Sequence, residues 1–188
     1  VVNPEWRHVE WMTFADIAAS RGIAPVDAAL DLMVADEGRV QIVFFYRTEE
    51  DMRTFLRHPR SMVGSDGSAL TADGPTGGGR PHPRNYGAAA RILGRYVREA
   101  PILTLEDAVH RMSGKVADRL GLRDRGRVRA GFAADLAVID ANTVIDHATF
   151  DDPHQYATGV PWVIVNGAVA VAEGEPTGAH RGRVLAAN

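Results

Sequence analysis

The stretch M-V-G-S-D-G-S-A-L, Met62 to Leu70, places one carboxylate, that of Asp66, at the end of a short apolar run. A carboxylate can bind a divalent metal ion, or accept a proton from a water whose pKa a metal has lowered towards ~7. The flanking glycines allow close backbone approach or unusual dihedral angles. Asp-Gly is also a routine turn sequence, and these residues taken alone favour the turn interpretation. Asp66 is still the strongest single candidate for catalysis.

A second polar group lies in P-H-P-R, where His82 and Arg84 belong to the glycine- and proline-rich loop that follows Asp66. An arginine pairs with a carboxylate through two parallel hydrogen bonds, so Arg84 is a candidate for binding an acidic substrate group. A surface arginine and a turn histidine are the alternative, and the residues alone leave the two interpretations open. His58 is more simply explained as a cation at a helix end, and His110 as a solvated side chain.

Several other kinds of chemistry lack a motif. None of the seven histidines forms H-x-H or H-E-x-x-H, and with no cysteine in the chain there is neither a thiolate metal cluster nor a disulfide. There is no G-x-S-x-G, Walker loop or G-x-G-x-x-G, so a nucleophilic triad and a nucleotide site are unsupported. The net charge of −3 gives no basic field for nucleic acid.

The bulk properties predict a globular domain. The chain has 188 residues, 45% of them hydrophobic and 24% charged, and is shorter than the ~200 residues that a complete (β/α)8 barrel requires. No apolar run approaches the ~18 residues of a membrane span, so we expect a soluble, cytoplasmic protein without a membrane partner. The chain opens on Val1 in what resembles the middle of a domain, so a fragment must be considered.

The elements around Asp66 follow the order of an α/β sheet. Helices are predicted after Thr13, from Pro25 and after Thr48, where N-cap residues or an N-terminal proline precede helical spacing. The near-continuous apolar run Val40 to Tyr46 is typical of a buried parallel strand, and Ser61 to Val63 predicts another short strand. Ligands in such sheets bind beyond the carboxyl ends of strands, which is where Asp66 lies.

The second half changes character. Thr71 to Pro83 predicts a long loop, R-I-L-G-R-Y-V-R-E a helix, and Thr104 to Gly121 further helix. The segment Ala134 to Asp140 predicts a strand, and Asn166-Gly167 predicts a tight hairpin between two more. We therefore expect two parts, residues 1–122 belonging to an α/β domain and residues 123–188 to a small antiparallel β domain.

The order of motifs resembles the C-terminal part of an N-acyl-D-amino-acid deacylase, in the metal-dependent amidohydrolase superfamily. The motifs are G-S-D-G-S-A-L, P-H-P-R-N-Y-G, R-I-L-G-R-Y-V-R-E, L-T-L-E-D-A-V-H-R-M and G-F-A-A-D-L-A-V-I-D, with V-I-V-N-G-A-V-A-V-A-E-G near the end. The resemblance covers nearly the whole chain and implies the C-terminal part of a TIM barrel followed by part of a small β domain. Val40 to Tyr46 would be its seventh barrel strand and Ser61 to Val63 its eighth.

The resemblance also implies a reaction, the hydrolysis of an N-acyl-D-amino acid with zinc as cofactor. Asp66 matches the family's catalytic aspartate, which takes a proton from the zinc-bound water, returns it to the leaving amine and is a possible weak metal ligand. Ser65, Gly67, His82 and Arg84 are the expected substrate-binding residues. The runner-up is another superfamily hydrolase, such as a dihydropyrimidinase-like enzyme.

The chain departs from the family pattern because the family's H-x-H motif and later histidine ligands have no counterpart in it. We therefore predict that the 188-residue chain alone neither holds zinc in a full site nor hydrolyses amides. A non-catalytic, truncated module is the alternative from a different class. In either case Val40 to Tyr46 would leave a sheet edge open, and we expect an N-terminal segment, a partner chain or a homo-oligomer to cover it.

Overall fold

The computed structural model describes residues 1–185. The chain folds as two compact units, which divide between Tyr46 and Arg47. Each has its own hydrophobic core and is described by itself. The predicted division at 122/123 stays a prediction.

The first unit is a small helical cluster. A 3₁₀ helix, Pro4–Val9, is followed by helix α1, Phe14–Arg21, and helix α2, Pro25–Ala35. Thr13 starts α1 with a capping box in which its hydroxyl and the Asp16 carboxylate exchange hydrogen bonds with each other's backbone N–H. Gly22 ends α1 in the left-handed conformation, with φ 67°. The core is small and consists of Val9, Ile17, Ala18, Ala28 and Leu32.

The apolar run Val40 to Tyr46 forms no strand, which corrects the prediction of a buried barrel strand. Phe44, Phe45 and Tyr46 are 72%, 77% and 74% exposed. A strand takes its hydrogen bonds from a neighbouring strand, and no strand in residues 1–185 pairs with this run. Composition predicted the conformation that the run would adopt between parallel strands, but residues 1–185 contain only an antiparallel sheet, which this run does not join.

The second unit begins with helices. They are α3, Glu49–Arg57; α4, Arg84–Arg91, which continues as the π-helix Ile92–Glu99; α5, Leu105–Met112; and α6, Gly114–Leu120. Thr48 and Thr104 cap α3 and α5 as predicted, each accepting a hydrogen bond from the backbone N–H three residues on. The helix predicted for R-I-L-G-R-Y-V-R-E is confirmed, but it extends back to Arg84.

The segment Ser61 to Val63 is likewise not a strand, which corrects the second barrel-strand prediction. It is held by α5 instead. The buried Arg111 donates to the carbonyl oxygens of Leu56 and His58, at 2.8 and 2.7 Å, and to the hydroxyl of Ser61. The carbonyl of Arg111 accepts a hydrogen bond from the N–H of Val63 at 3.2 Å. Helix α5 thus fixes the segment that leads to Asp66.

The second unit ends in a four-stranded antiparallel sheet of order β1-β2-β3-β4. Its strands are β1, Leu136–Val138; β2, Trp162–Val165; β3, Ala168–Ala172; and β4, Glu175–Pro176. Asn166 and Gly167 form the β2–β3 turn with φ 46° and 80°, so the predicted hairpin is confirmed. The helices and this sheet agree with part of the predicted fold. Within residues 1–185, no helix is long and apolar enough to span a bilayer.

Candidate catalytic site

Asp66 lies on a sharp turn at the end of the segment held by α5. Its φ of 49° is in the left-handed region, which aspartate tolerates better than most residues. The turn is closed by the Ser65 hydroxyl, which accepts a hydrogen bond from the N–H of Gly67 at 3.1 Å. The side chain of Asp66 is 87% exposed. Asp66 is therefore both a turn residue and a carboxylate presented to solvent, so the two interpretations do not exclude each other.

The structure brings Asp66 together with Arg84. The guanidinium Nη2 of Arg84 lies 3.0 Å from Oδ2 of Asp66, and the arginine side chain is 42% exposed. A solvent-exposed ion pair of this kind contributes little to stability, because water screens both charges. The pair matters for position instead, because it places the Arg84 guanidinium, which can bind a carboxylate ligand, beside the Asp66 carboxylate, which can accept a proton.

Gly67 and Asn85 connect the Asp66 turn to the start of α4. The side-chain oxygen of Asn85 accepts a hydrogen bond from the N–H of Ser68 at 2.6 Å, and its amide nitrogen donates to the His82 carbonyl at 2.8 Å. A Cβ on Gly67 would lie 3.1 Å from that Asn85 oxygen and 3.2 Å from the carbonyl oxygen of Arg84. Gly67 therefore permits this close approach. Sequence reasoning missed Asn85, whose only signal was its position beside P-H-P-R.

His82 is half-buried next to the Asp66–Arg84 pair. Its ring packs edge-on against Phe150 at 4.9 Å between centroids. Its Nδ1 accepts a hydrogen bond from the N–H of Arg84 at 3.1 Å, which places the proton of the neutral ring on Nε2. Burial and the positive charge of Arg84 lower the pKa of His82, while Asp66 acts in the opposite direction. The ring therefore favours the neutral form.

Two tyrosines that sequence reasoning missed lie beside this group. Tyr86, in the first turn of α4, and Tyr156 meet edge to face, with centroids 5.8 Å apart. Tyr86 also contacts the ring of His154 at 5.7 Å. The Nε2 of His154 is buried without a hydrogen-bond partner. No short-range sequence pattern predicts these contacts, because Tyr156 is far from Tyr86 in sequence.

The remaining histidines and acids singled out by sequence have local roles. His58 ends α3, and its Nδ1 accepts a hydrogen bond from the N–H of Arg60 at 3.2 Å. The N–H of Asp152 donates to the Thr149 hydroxyl at 2.9 Å in a turn. Across residues 1–185, no group of three or more His, Cys, Asp or Glu side chains is placed to hold a metal ion.

Comparison with known proteins shows which family the chain belongs to. The model of the amidohydrolase family matches residues 4–171. The chain is 42% identical over 91% of its length to a D-aminoacylase and, over 92%, to an N-acyl-D-glutamate deacylase, both from Alcaligenes xylosoxydans xylosoxydans. It spans about a third of the length of these relatives, covering 33% of each.

Solved structures give the same result. A D-aminoacylase structure superposes with a TM-score of 0.77 and 38% identity, over 92% of this chain and 34% of that one. The N-acyl-D-glutamate deacylase of Bordetella bronchiseptica, solved with zinc and a phosphonate that mimics the tetrahedral intermediate, gives 0.72 and 39%, over 90% and 34%. A further structure concerns the binuclear metal centre of D-aminoacylase. The ordered motifs, the helices with their antiparallel sheet and these matches establish that the chain belongs to the amidohydrolase family.

Proposed function

We propose that this chain is part of a zinc-dependent hydrolase that cleaves N-acyl-D-amino acids into a D-amino acid and a carboxylate. The observation that carries the proposal is the exposed Asp66 carboxylate 3.0 Å from the Arg84 guanidinium. It stands in a chain that is 42% identical to a D-aminoacylase and to an N-acyl-D-glutamate deacylase. One group suits proton transfer and the other suits the α-carboxylate that every such substrate carries.

In this proposal Asp66 takes a proton from the attacking water and later donates it to the leaving amine. A positioned carboxylate that shuttles a proton in this way contributes roughly 10²–10⁴-fold to a rate. The Asp66 side chain is open to solvent on one side and is next to Arg84 on the other, so water and an anionic substrate can reach it together.

Arg84 and His82 would hold the substrate. A guanidinium pairs with a carboxylate through two parallel hydrogen bonds, which fixes orientation as well as charge. His82 with its lowered pKa would stay neutral and offer the Nε2 proton as a hydrogen-bond donor. Ser65 and Gly67 shape the turn that presents Asp66, so in this proposal they contact substrate through the backbone of the turn.

The residues of this chain do not by themselves fit a zinc site. Asp66 is one carboxylate with an arginine as its neighbour, and no metal-binding cluster exists within residues 1–185. Zinc, when bound, would polarise the amide carbonyl and activate water. We propose that its ligands come from polypeptide other than the described residues, in keeping with relatives about three times as long. The chain alone would then lack activity.

The absence of a metal-binding cluster from residues 1–185 favours one competing function, a folded module without chemistry. The experiment is therefore done on the natural gene product that carries this sequence, with N-acetyl-D-glutamate and its L-enantiomer as substrates. Asp66→Asn is expected to lower kcat by about 10²-fold or more without loss of bound zinc. The control Asp73→Asn changes an acid of the neighbouring glycine-rich loop and should leave kcat unchanged. Wild-type turnover in Asp66→Asn would refute the assigned role, and an inactive natural product would favour the module.

A further inference from the structure

We propose that Tyr86 and Tyr156 are positioning residues that hold the glycine-rich loop between Asp66 and Arg84, through the single peptide group that joins Thr71 to Ala72. The proposal concerns the shape of the loop and stands on contacts within the second unit. Its consequence for substrate binding rests on the proposed function.

Both polar groups of that peptide are bound by tyrosine hydroxyls. The Tyr86 hydroxyl donates to the carbonyl oxygen of Thr71 at 3.1 Å, and the N–H of Ala72 donates to the hydroxyl oxygen of Tyr156 at 2.8 Å. The two rings contact each other edge to face at 5.8 Å, an arrangement that is itself favourable for aromatic pairs. The two tyrosine hydroxyls thus give the Thr71–Ala72 peptide the hydrogen-bond donor and acceptor that a neighbouring strand would otherwise supply.

The loop closes against the two peptide groups that flank this one. The Thr76 hydroxyl accepts a hydrogen bond from the N–H of Thr71 at 3.1 Å, and the N–H of Gly77 donates to the Gly74 carbonyl at 3.1 Å. A Cβ on Gly77 would lie 2.6 Å from the Ala72 carbonyl oxygen, so only glycine permits this packing. Residues 71–77 therefore form one compact turn whose base is the peptide held by the tyrosines.

The geometry connects this base to the candidate site. Tyr86 belongs to the same first turn of α4 as Arg84. Asn85, between them, binds the N–H of Ser68 on the Asp66 side. Both ends of the loop are thus fixed to one helical turn, and Tyr156 adds a support from the segment that precedes β2.

The consequence concerns the spacing of the two candidate groups. Because the Thr71–Ala72 peptide is bound by both tyrosines, the backbone of the loop is restrained at that point. Arg84 therefore keeps a defined position relative to Asp66. If Asp66 and Arg84 act as proposed, loss of either tyrosine hydroxyl weakens the hold on the substrate carboxylate more than it slows proton transfer.

The direct test measures amide hydrogen exchange at Ala72 in the 188-residue chain by NMR. Tyr156→Phe keeps the ring and removes the hydroxyl, and is expected to speed exchange at Ala72 by about 2- to 10-fold, the loss of one ordinary hydrogen bond. Tyr86→Phe should speed it less, because the N–H of Ala72 keeps its acceptor. Tyr96→Phe is the matched control, since it removes a hydroxyl that donates to Glu49 at 3.0 Å and should leave Ala72 unchanged.

Urea unfolding of each variant separates local loosening from global loss of stability. Faster exchange at Ala72 with an unchanged unfolding midpoint supports the proposal. Unchanged exchange in Tyr156→Phe, or equal acceleration in Tyr96→Phe, overturns it.

A second measurement uses the natural gene product and N-acetyl-D-glutamate. Tyr156→Phe is expected to raise KM several-fold with kcat nearly unchanged, whereas Asp66→Asn lowers kcat. Faster exchange without any change in KM would overturn the positioning role. If the unmodified product proves inactive, the proposed function fails while the exchange experiment still decides whether the tyrosines hold the loop.

Discussion

Arg111 is predicted to be the most sensitive polar position of the second unit, and Arg111→Met tests this. The arginine side chain is only 7% exposed and pairs with Asp107 at 2.8 Å. It also donates to two backbone carbonyls, those of Leu56 and His58, and to the Ser61 hydroxyl. Methionine fills much of the same volume but donates no hydrogen bond, so the carbonyls would remain without their donor.

The expected loss in the free energy of unfolding follows from the number of carbonyl groups that Arg111→Met leaves without a hydrogen-bond donor. Each buried acceptor that loses its partner costs about 1–3 kcal/mol. Two carbonyls give an upper range near 6 kcal/mol, but His58 is exposed and water can reach part of the site. We therefore expect a loss of about 2–4 kcal/mol in the free energy of unfolding. Against a typical total of about 5–15 kcal/mol, this is a large fraction.

The assay is urea unfolding followed by circular dichroism, with Arg127→Met as the matched control. Arg127 binds Asp118 at 2.8 Å, but their side chains are 45% and 55% exposed, so its removal should barely move the midpoint. Arg111→Met should lower the midpoint by about 1–2 M urea. Exchange at the Val63 amide, which donates to the Arg111 carbonyl, should accelerate in parallel. Equal midpoints for the two variants would refute the reasoning.

Three further predictions concern pH, packing and association. Because the pKa of His82 is lowered in the folded state, the unfolded chain binds more protons just below the ordinary histidine pKa of ~6.5. Stability should therefore fall as the pH drops through that value, and His82→Asn should flatten the curve in urea titrations. Gly159→Ala should cost about 2–5 kcal/mol in urea unfolding, since φ is +81° and a Cβ would lie 2.3 Å from the Val144 Cα, while Gly182→Ala, with open space around it, should cost little. Helix α2 exposes Val26, Leu30, Met33 and Val34 on one face, an apolar patch that should favour self-association at high concentration. Leu30→Lys should reduce it in sedimentation velocity; an unchanged distribution would contradict this.

Features that depend on near neighbours in sequence could be predicted. Thr13, Thr48 and Thr104 start helices because each hydroxyl binds a backbone N–H only three residues away. Asn166-Gly167 makes its turn because both residues accept positive φ. Short-range chemistry of this kind acts whatever the rest of the protein does.

Strands and the site geometry depend on distant residues and could be predicted only in part. Val40 to Tyr46 has the composition of a strand, but composition supplies no partner. The sequence indicated Asp66 and Arg84 separately as candidates, while their 3.0 Å contact depends on where α4 begins. The support from Tyr156, which is 84 residues from Ala72, could not be read from any local pattern.

The run Val40 to Tyr46, which is not part of a strand, offers a local signal for strand pairing. Its composition favours an extended strand, and no strand within residues 1–185 pairs with it, so we expect pairing with a further strand to slow the exchange of its backbone amides. Such pairing would also bury the side chains of Phe44, Phe45 and Tyr46, which are now more than 70% exposed. A change in exchange confined to this segment would thus report strand pairing there without any label.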